Sequence, residues 1–451
     1  MFNVVKTLKC ISRNVQLKSF YRNYLSSAYK CQDAWNQRLE SPFLKKVNGT
    51  DLFFDLENQF QKHGKAHGID IDIFTNIAAE PERSDEIEDL LHKLRLSPEA
   101  CSLLPSTQHA FIRFLVENDK TDDLLRVLDD RLNYGVFMDN YTCILLLNKF
   151  LKENNFKDSA RVASFQMLQE DFSHPMVKFM CLYACLKYSE SPSPWAEEAK
   201  PESESAEDID EDEIIKLRVP YIRNYYFDDH FDLRIPSHLV GKTLWMIGCE
   251  LPDAVGYTCQ IIGLGMYNKW DRLKSLIEEL LESNQSAHRN CLSILTSTFN
   301  NAKQNTPDNI GLIEEVEKLL GKMDSQNQLL QDDVVEIAKN QMLENIKTHE
   351  KSTIGSQVQI YAEWEKQREK LINEHIDMLK RDRMVEEIEE AKREMQETEE
   401  ELFFFDNEDK LDLLIEHKYK PRFVTWRGYI KKKRDTNVEY VPPEIQKRRE
   451  N

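Results

Sequence analysis

Between residues 105 and 170 the apolar positions come in short runs at helical spacing, separated by polar breaks. Thr107-Gln-His-Ala-Phe-Ile-Arg-Phe-Leu-Val is one run and Thr121-Asp-Asp-Leu-Leu-Arg-Val-Leu-Asp-Asp-Arg-Leu is the next. After a break at 133–140 the pattern restarts with Tyr141-Thr-Cys-Ile-Leu-Leu-Leu-Asn-Lys-Phe-Leu. Thr107 and Thr142 are 35 residues apart, and at that offset Leu115 aligns with Phe150, Val116 with Leu151 and Val127 with Val162. One step further lands Val177 at the head of another apolar run. One step back places Asp72 beside Ile73 and Phe74, with Leu90 matching Leu125. A fixed period of this size, filled by two short helices per unit, predicts a helical repeat array. Each hairpin has an apolar face it cannot bury alone, so neighbours stack into a solenoid.

The rest of the chain reads as helix too. Residues 25–40, with Trp35, predict a short helix or ordered arm. Hairpins follow from 51 to 185, and amphipathic segments resume at 237–248, 254–267 and 269–281, the second carrying Gly256, Gly263 and Gly265 for close helix packing. The aromatic stretch 219–234 is expected to dock on these hairpins. Residues 284–310 suggest one more helix and a polar loop. From 356 to 402 one long helix is predicted, with Trp364, Leu371, Met378 and Val385 recurring every seven residues. One apolar position per heptad is narrower than a coiled-coil seam, so it reads as a surface helix, a homodimeric coiled coil being the alternative. With 13 Gly and 15 Pro in 451 residues, the fold class is all-α, an α-solenoid of helical hairpins with a long C-terminal helix.

Charge divides the chain further. Residues 1–32 carry Lys6, Lys9, Arg13, Lys18, Arg22 and Lys30 and no acid, the composition of a mitochondrial transit peptide. A merely basic arm on a cytosolic protein is the other reading. The sequence around Tyr24 resembles a matrix-protease cleavage site; removing 1–24 deletes five positive charges and takes the net charge from −19 to −24. So acidic a body is a poor free-standing RNA binder, because phosphate contacts supply most of that affinity. The predicted division is 1–24 transit peptide, 25–189 helical repeats, 190–213 acidic flexible linker, 214–310 further hairpins, 311–417 long, partly coiled-coil-like helices, and 418–451 a basic aromatic tail. The linker holds eleven acids and lacks the apolar content to order itself. In the tail, Lys418, Lys420, Arg422, Arg427, Lys431, Lys432, Lys433 and Arg434 surround Tyr419, Phe423, Trp426 and Tyr429. Cations for phosphates beside rings for stacking make Lys418, Lys420, Arg422, Trp426, Arg427, Tyr429 and Lys431–Arg434 the candidate RNA- or particle-binding residues. A solvated basic tail is the plainer alternative.

No reaction chemistry emerges. Gly241-Lys242-Thr243 lacks the phosphate-loop glycine five residues earlier, where Pro236 stands. Gly263-Leu-Gly265 has Asn268 at the third fingerprint position and no preceding strand. Cys181 and Cys185 are one helical turn apart without a third ligand and read as core cysteines. His63, His67 and His174 lack matched partners. Nine cysteines without a Cys-x-x-Cys pair fit a reduced compartment. The chain is expected to be no enzyme, to need no cofactor or metal, to bind no small-molecule substrate and to have no membrane span.

The unit 140–162 resembles the pentatricopeptide repeat family, with Ala160 as the small residue at the helix crossing. That resemblance implies single-stranded RNA read one base per unit, with reading positions at His109 with Asp139 and at Ile144 with His174. Ile144 offers no hydrogen bond, which implies a scaffold use of the fold. Tyr24-Leu-Ser-Ser-Ala-Tyr with Trp35, and Tyr134-Gly-Val-Phe-Met-Asp-Asn-Tyr-Thr leading to Asn154-Asn-Phe-Lys-Asp-Ser-Ala, resemble pentatricopeptide-type proteins of the mitochondrial ribosomal small subunit. A weaker likeness lies around Tyr361 and Trp364. The first 190 residues or so carry the resemblance best. It implies a structural role in the matrix, in contact with small-subunit ribosomal RNA and neighbouring ribosomal proteins, in support of mitochondrial translation. The alternatives are a free mitochondrial pentatricopeptide RNA-binding factor for transcript stability or processing, and a small-subunit assembly adaptor.

Overall fold

In the computed structural model the described residues are 24–78, 80–195, 233–305 and 310–419. An N-terminal arm, with a 3-10 turn at Ser27–Lys30 and α1 (Gln32–Gln37), leads to α2 (Gly49–His63), α3 (Gly68–Ile77) and α4 (Ser84–Leu96). Then come α5 (Pro105–Glu117), α6 (Thr121–Asp129), the short α7 (Arg131–Tyr134), α8 (Asn140–Lys152), α9 (Phe156–Leu168) and α10 (Pro175–Glu190). The first helices of successive hairpins start at Pro105, Asn140 and Pro175, 35 residues apart, and the second helices at Thr121 and Phe156, again 35 apart. The α3–α4 hairpin precedes α5–α6 by 37 residues, two out of phase. The all-α fold and its hairpin period are therefore present as the apolar pattern predicts. The run 121–132 differs: it breaks at Asp130 (φ −93°, ψ 54°) into α6 and α7.

Local chemistry explains these boundaries. Pro105 and Pro175 open α5 and α10, where a missing N–H costs nothing. Asp139 caps α8 by accepting from the Thr142 N–H, and Asn155 caps α9 by accepting from that of Asp158. The turn inside each hairpin also repeats. Asp119 and Asn154 take left-handed φ values of 55° and 56°. The next N–H reaches back five residues, Lys120 to the Leu115 carbonyl at 3.0 Å and Asn155 to that of Phe150 at 2.9 Å. This closure satisfies helix-end carbonyls and fixes how the second helix folds back. The aligned pairs Leu115/Phe150 and Val127/Val162 are all buried.

The second helices are stitched to one another by ion pairs. Glu57 on α2 meets Lys93 on α4 at 2.6 Å, Glu88 on α4 holds Arg126 on α6 through two bonds of 2.7 and 2.8 Å, and Asp129 on α6 pairs with Arg161 on α9. These cations are thus engaged by carboxylates of the neighbouring hairpin.

After the described residues resume come α11 (Pro236–Cys249), α12 (Ala254–Met266) and α13 (Trp270–Glu282). The same turn recurs at Asn268 (φ 58°), where the Lys269 N–H reaches the Leu264 carbonyl at 3.1 Å. Helices α11 and α12 approach closely: a Cβ on Gly241 would lie 2.7 Å from the Gly263 carbonyl oxygen, and one on Gly263 2.6 Å from that of Gly241. The close packing expected from the glycines is real. The strands β1 (Ala287–His288) and β2 (Leu329–Leu330) pair in parallel, a feature the apolar pattern did not predict. Between them lie α14 (Asn290–Asn305) and α15 (Ile310–Ser325).

The last helix, α16 (Val334–Tyr419), extends beyond the predicted 356–402 at both ends. The chain divides into two compact units between Lys366 and Gln367. The second contributes only the later part of α16 to the described residues, with non-helical angles at Asn407. The transit segment up to residue 23, most of the acidic linker and all but the last two residues of the aromatic stretch 219–234 lie outside the described residues. Among the described residues no helix is long and apolar enough to cross a membrane.

Candidate functional site on the first helices of the hairpins

The positions expected to read bases sit on, or just before, α5, α8 and α10. His109 is buried on α5 at 2% exposure. Its Nδ1 lies 2.9 Å from Asp139 Oδ2, and its Nε2 lies 2.9 Å from the Tyr361 hydroxyl on α16. One turn along α5, Arg113 is equally buried. Its guanidinium donates to Glu117 Oε1 (2.8 Å), to the Tyr361 hydroxyl (3.0 Å), to the Lys30 carbonyl (2.6 Å) and to Gln32 Oε1 (2.9 Å). Three stretches remote in sequence, the N-terminal arm, α5 and α16, thereby meet at one side chain.

The proton order follows from what each group can do. Arg113 only donates, so the Tyr361 oxygen accepts from it and its own hydrogen is free for His109 Nε2. In the tautomer with hydrogen on Nδ1 the ring then donates to Asp139. Partial burial would raise the Asp139 carboxyl, but the neighbouring His109 and the bonds from His109 and Thr142 outweigh it and hold it below the usual carboxylate value. Burial works against the Arg113 charge, yet Tyr361 and Glu117 hold its proton more tightly than usual. The Tyr361 hydroxyl is pushed up to about 12, chiefly by burial.

Aromatic rings close the cluster. Trp35 packs 5.3 Å from both His109 and Tyr361, with the Arg113 guanidinium 4.9 Å from its ring centre. Trp364 lies 5.1 Å from His109. Tyr29 stacks on Tyr141 at 4.9 Å, and the Tyr141 hydroxyl donates to the Tyr29 carbonyl. The second pair is covered as well. Ile144 is fully buried, and His174 Nε2 lies 3.2 Å from the Thr353 hydroxyl of α16. At the start of the arm, the Ser26 N–H donates to Glu350 on the same helix at 2.7 Å. Thr353 and Tyr361 are two helical turns apart, about 12 Å along α16, so one stretch of this helix touches both predicted reading pairs.

The structure therefore brings His109 and Asp139 within hydrogen-bond distance of each other and engages His109 with Tyr361 of the same chain. Arg113 was missed as part of this site. The signal is visible in retrospect: His109 and Arg113 stand one turn apart inside an otherwise apolar run, where two buried polar groups demand partners. Of the tail residues, Lys418 is exposed in the last turn of α16. Lys420, Arg422, Trp426, Arg427, Tyr429, Lys431, Lys432, Lys433 and Arg434 lie outside the described residues. Cys181 and Cys185 are fully buried, and burial raises both thiols. Lys242 sits inside α11 against the Trp245 ring at 4.1 Å, in no loop that could wrap a phosphate.

A family model described as Mitochondrial 28S ribosomal protein S27 matches residues 1–394, and the chain belongs to that family, a ribosomal protein of the mitochondrial small subunit. The match extends far beyond the first 190 residues. It takes in Trp35, His109, Arg113, Asp139 and Tyr361, and ends before the basic tail.

Proposed function

We propose that this family member is a structural component of the small subunit in the mitochondrial matrix. There it holds ribosomal RNA and neighbouring proteins and so supports mitochondrial translation. Its hairpins are of pentatricopeptide type, with base-reading positions turned to internal use. The observation that carries this reading is the Tyr361–His109–Asp139 chain of hydrogen bonds: side chains consumed inside the fold do not read a base. A base arriving there would also have to displace Trp35 and Trp364. Lys93, Arg126 and Arg161 on the second helices are paired with carboxylates, which likewise speaks against a phosphate track along that face. RNA attachment is assigned to the basic aromatic segment that starts at Lys418.

Sucrose-gradient fractionation of mitochondria, with and without RNase, tests the reading. The chain should sediment with the small subunit and shift when RNase dismantles it. Sedimentation at the top of both gradients would instead support a free transcript-binding factor. Presence on immature particles alone would support an assembly adaptor.

A further inference from the structure

In the second unit, α16 carries a fuller apolar seam than the one-per-heptad series predicts. Met384, Ile388, Ala391, Met395, Thr398 and Leu402 follow one another at alternating steps of four and three. That spacing keeps them on one side of a helix, as in a coiled coil. Met384, Ile388, Met395 and Leu402 are 55, 53, 69 and 60% exposed. Large side chains held in water along a regular seam mark an interaction surface.

The flanking charges select the occupant. Residues 384–406 hold ten carboxylates against only Lys392 and Arg393. Glu387, Glu394 and Glu401 precede the seam positions Ile388, Met395 and Leu402, where charged side chains reach across to a partner helix and decide pairing. Two antiparallel copies would set these glutamates against each other. Two parallel copies would set Glu394 against Glu399 and Glu401 against Asp406, against one attractive pair, Glu387 with Lys392. Like charges at these places disfavour a second copy, and the carboxylates repel a phosphate backbone.

We propose that this seam docks a basic amphipathic helix of another protein, one with apolar residues at the same four–three spacing flanked by Lys or Arg. That the partner is a neighbour in the small subunit rests on the residency proposed above; the chemistry of the seam does not.

The test uses the full chain and two synthetic heptad peptides with identical Leu/Ile seams, one flanked by Lys and one by Glu. The Lys-flanked peptide should bind tighter by about tenfold or more. Ile388→Ser, Met395→Ser and Leu402→Ser together should abolish binding while helix content persists, since these side chains are exposed. Glu387→Lys, Glu394→Lys and Glu401→Lys together should invert the preference. Equal binding of the two peptides, or none, overturns the proposal. So does a concentration-dependent dimer dispersed by the Ser variant, which would make the occupant a second copy. Binding that appears only after Lys431, Lys432, Lys433 and Arg434 are changed to Gln would make it the chain's own tail, and overturns it too. In parallel, a benzophenone side chain at position 395 should cross-link, on isolated small subunits, to a Lys/Arg-flanked amphipathic segment of another protein. A cross-link to ribosomal RNA overturns the proposal. A chain that binds the peptide but never sediments with the subunit refutes residency and leaves the seam's chemistry standing.

Discussion

The hydroxyl of Tyr361 lies 2.9 Å from Nε2 of His109, across 252 positions of sequence. A single bond between a hairpin and a helix so far along the chain is a topological statement. The first helices of the array are covered by a later part of the same polypeptide, and the register of α16 on them is fixed by polar groups rather than by apolar burial alone. Because those groups are buried, a slip of the helix would leave one Arg113 donor and His109 Nε2 without their Tyr361 partner, which costs more than the bonds are worth when made.

Tyr361→Phe tests this directly. The substitution keeps the ring against Trp35 and Trp364 and removes one oxygen, leaving an Arg113 donor and His109 Nε2 unsatisfied. Destabilisation of about 1–3 kcal/mol is expected, read as a lowered urea midpoint. An unchanged midpoint would mean that the hydroxyl contributes nothing to holding α16.

Asp139 gives the network a pH dependence of definite sign. Its folded carboxyl is held lower than usual, so it contributes stability above the unfolded value of about 3.9 that is lost as pH falls through the folded one. Its side chain is 40% exposed, so the contribution is screened. Asp139→Asn should cost most at neutral pH, and its stability should converge with that of the unaltered chain in acid. A gap that widens on acidification would contradict the assignment.

Two glycines should respond oppositely to alanine. Gly263→Ala would place a methyl 2.6 Å from the Gly241 carbonyl oxygen and from the Trp245 backbone nitrogen, so α11 and α12 must separate. Overpacking of this kind costs about 1–3 kcal/mol. Gly321, inside α15, has nothing within 4 Å of the new Cβ, and Gly321→Ala should stabilise by about 0.5–1 kcal/mol. Thermal unfolding of both variants decides it; equal effects would remove the close approach as their cause.

Sequence made the hairpins legible because their signal is local. Apolar spacing, the prolines at 105 and 175 and the polar turn residues Asp119 and Asn154 each act within a few residues. The covering of the array was not legible, since nothing near His109 says that Tyr361 will reach it. The parallel pairing of β1 and β2 escaped for the same reason, its two-residue strands being too short for an alternating pattern. The exposed seam from Met384 was hidden by Ala391 and Thr398, which complete the spacing without standing out as apolar.

The basic N-terminus makes a separate prediction about address. Changing Lys6, Lys9, Arg13, Lys18 and Arg22 to Gln should block import into isolated mitochondria, because presequences depend on positive charge along an amphipathic helix. Import of the neutralised chain to the protease-protected interior would overturn the transit assignment.

The last prediction concerns the segment 418–434, proposed here as the RNA anchor. The chain carries a net charge of −19, and cations such as Arg126 and Arg161 are paired across hairpins, so on this proposal most favourable phosphate contacts come from this segment, apart from any basic face the hairpins assemble. Each phosphate neutralised adds about 0.7–0.9 to the log–log salt slope of binding. Changing Lys431, Lys432, Lys433 and Arg434 to Gln should therefore release the chain from the small subunit at lower salt and flatten that slope. Trp426→Ala with Tyr429→Ala should weaken attachment at every salt concentration and leave the slope nearly unchanged, since stacking is not ionic. Circular dichroism should report the same helix content in both variants, which separates lost attachment from lost fold. If a chain ending at residue 417 stays on the subunit to the same salt concentration as the intact one, the anchor lies elsewhere and the assignment fails.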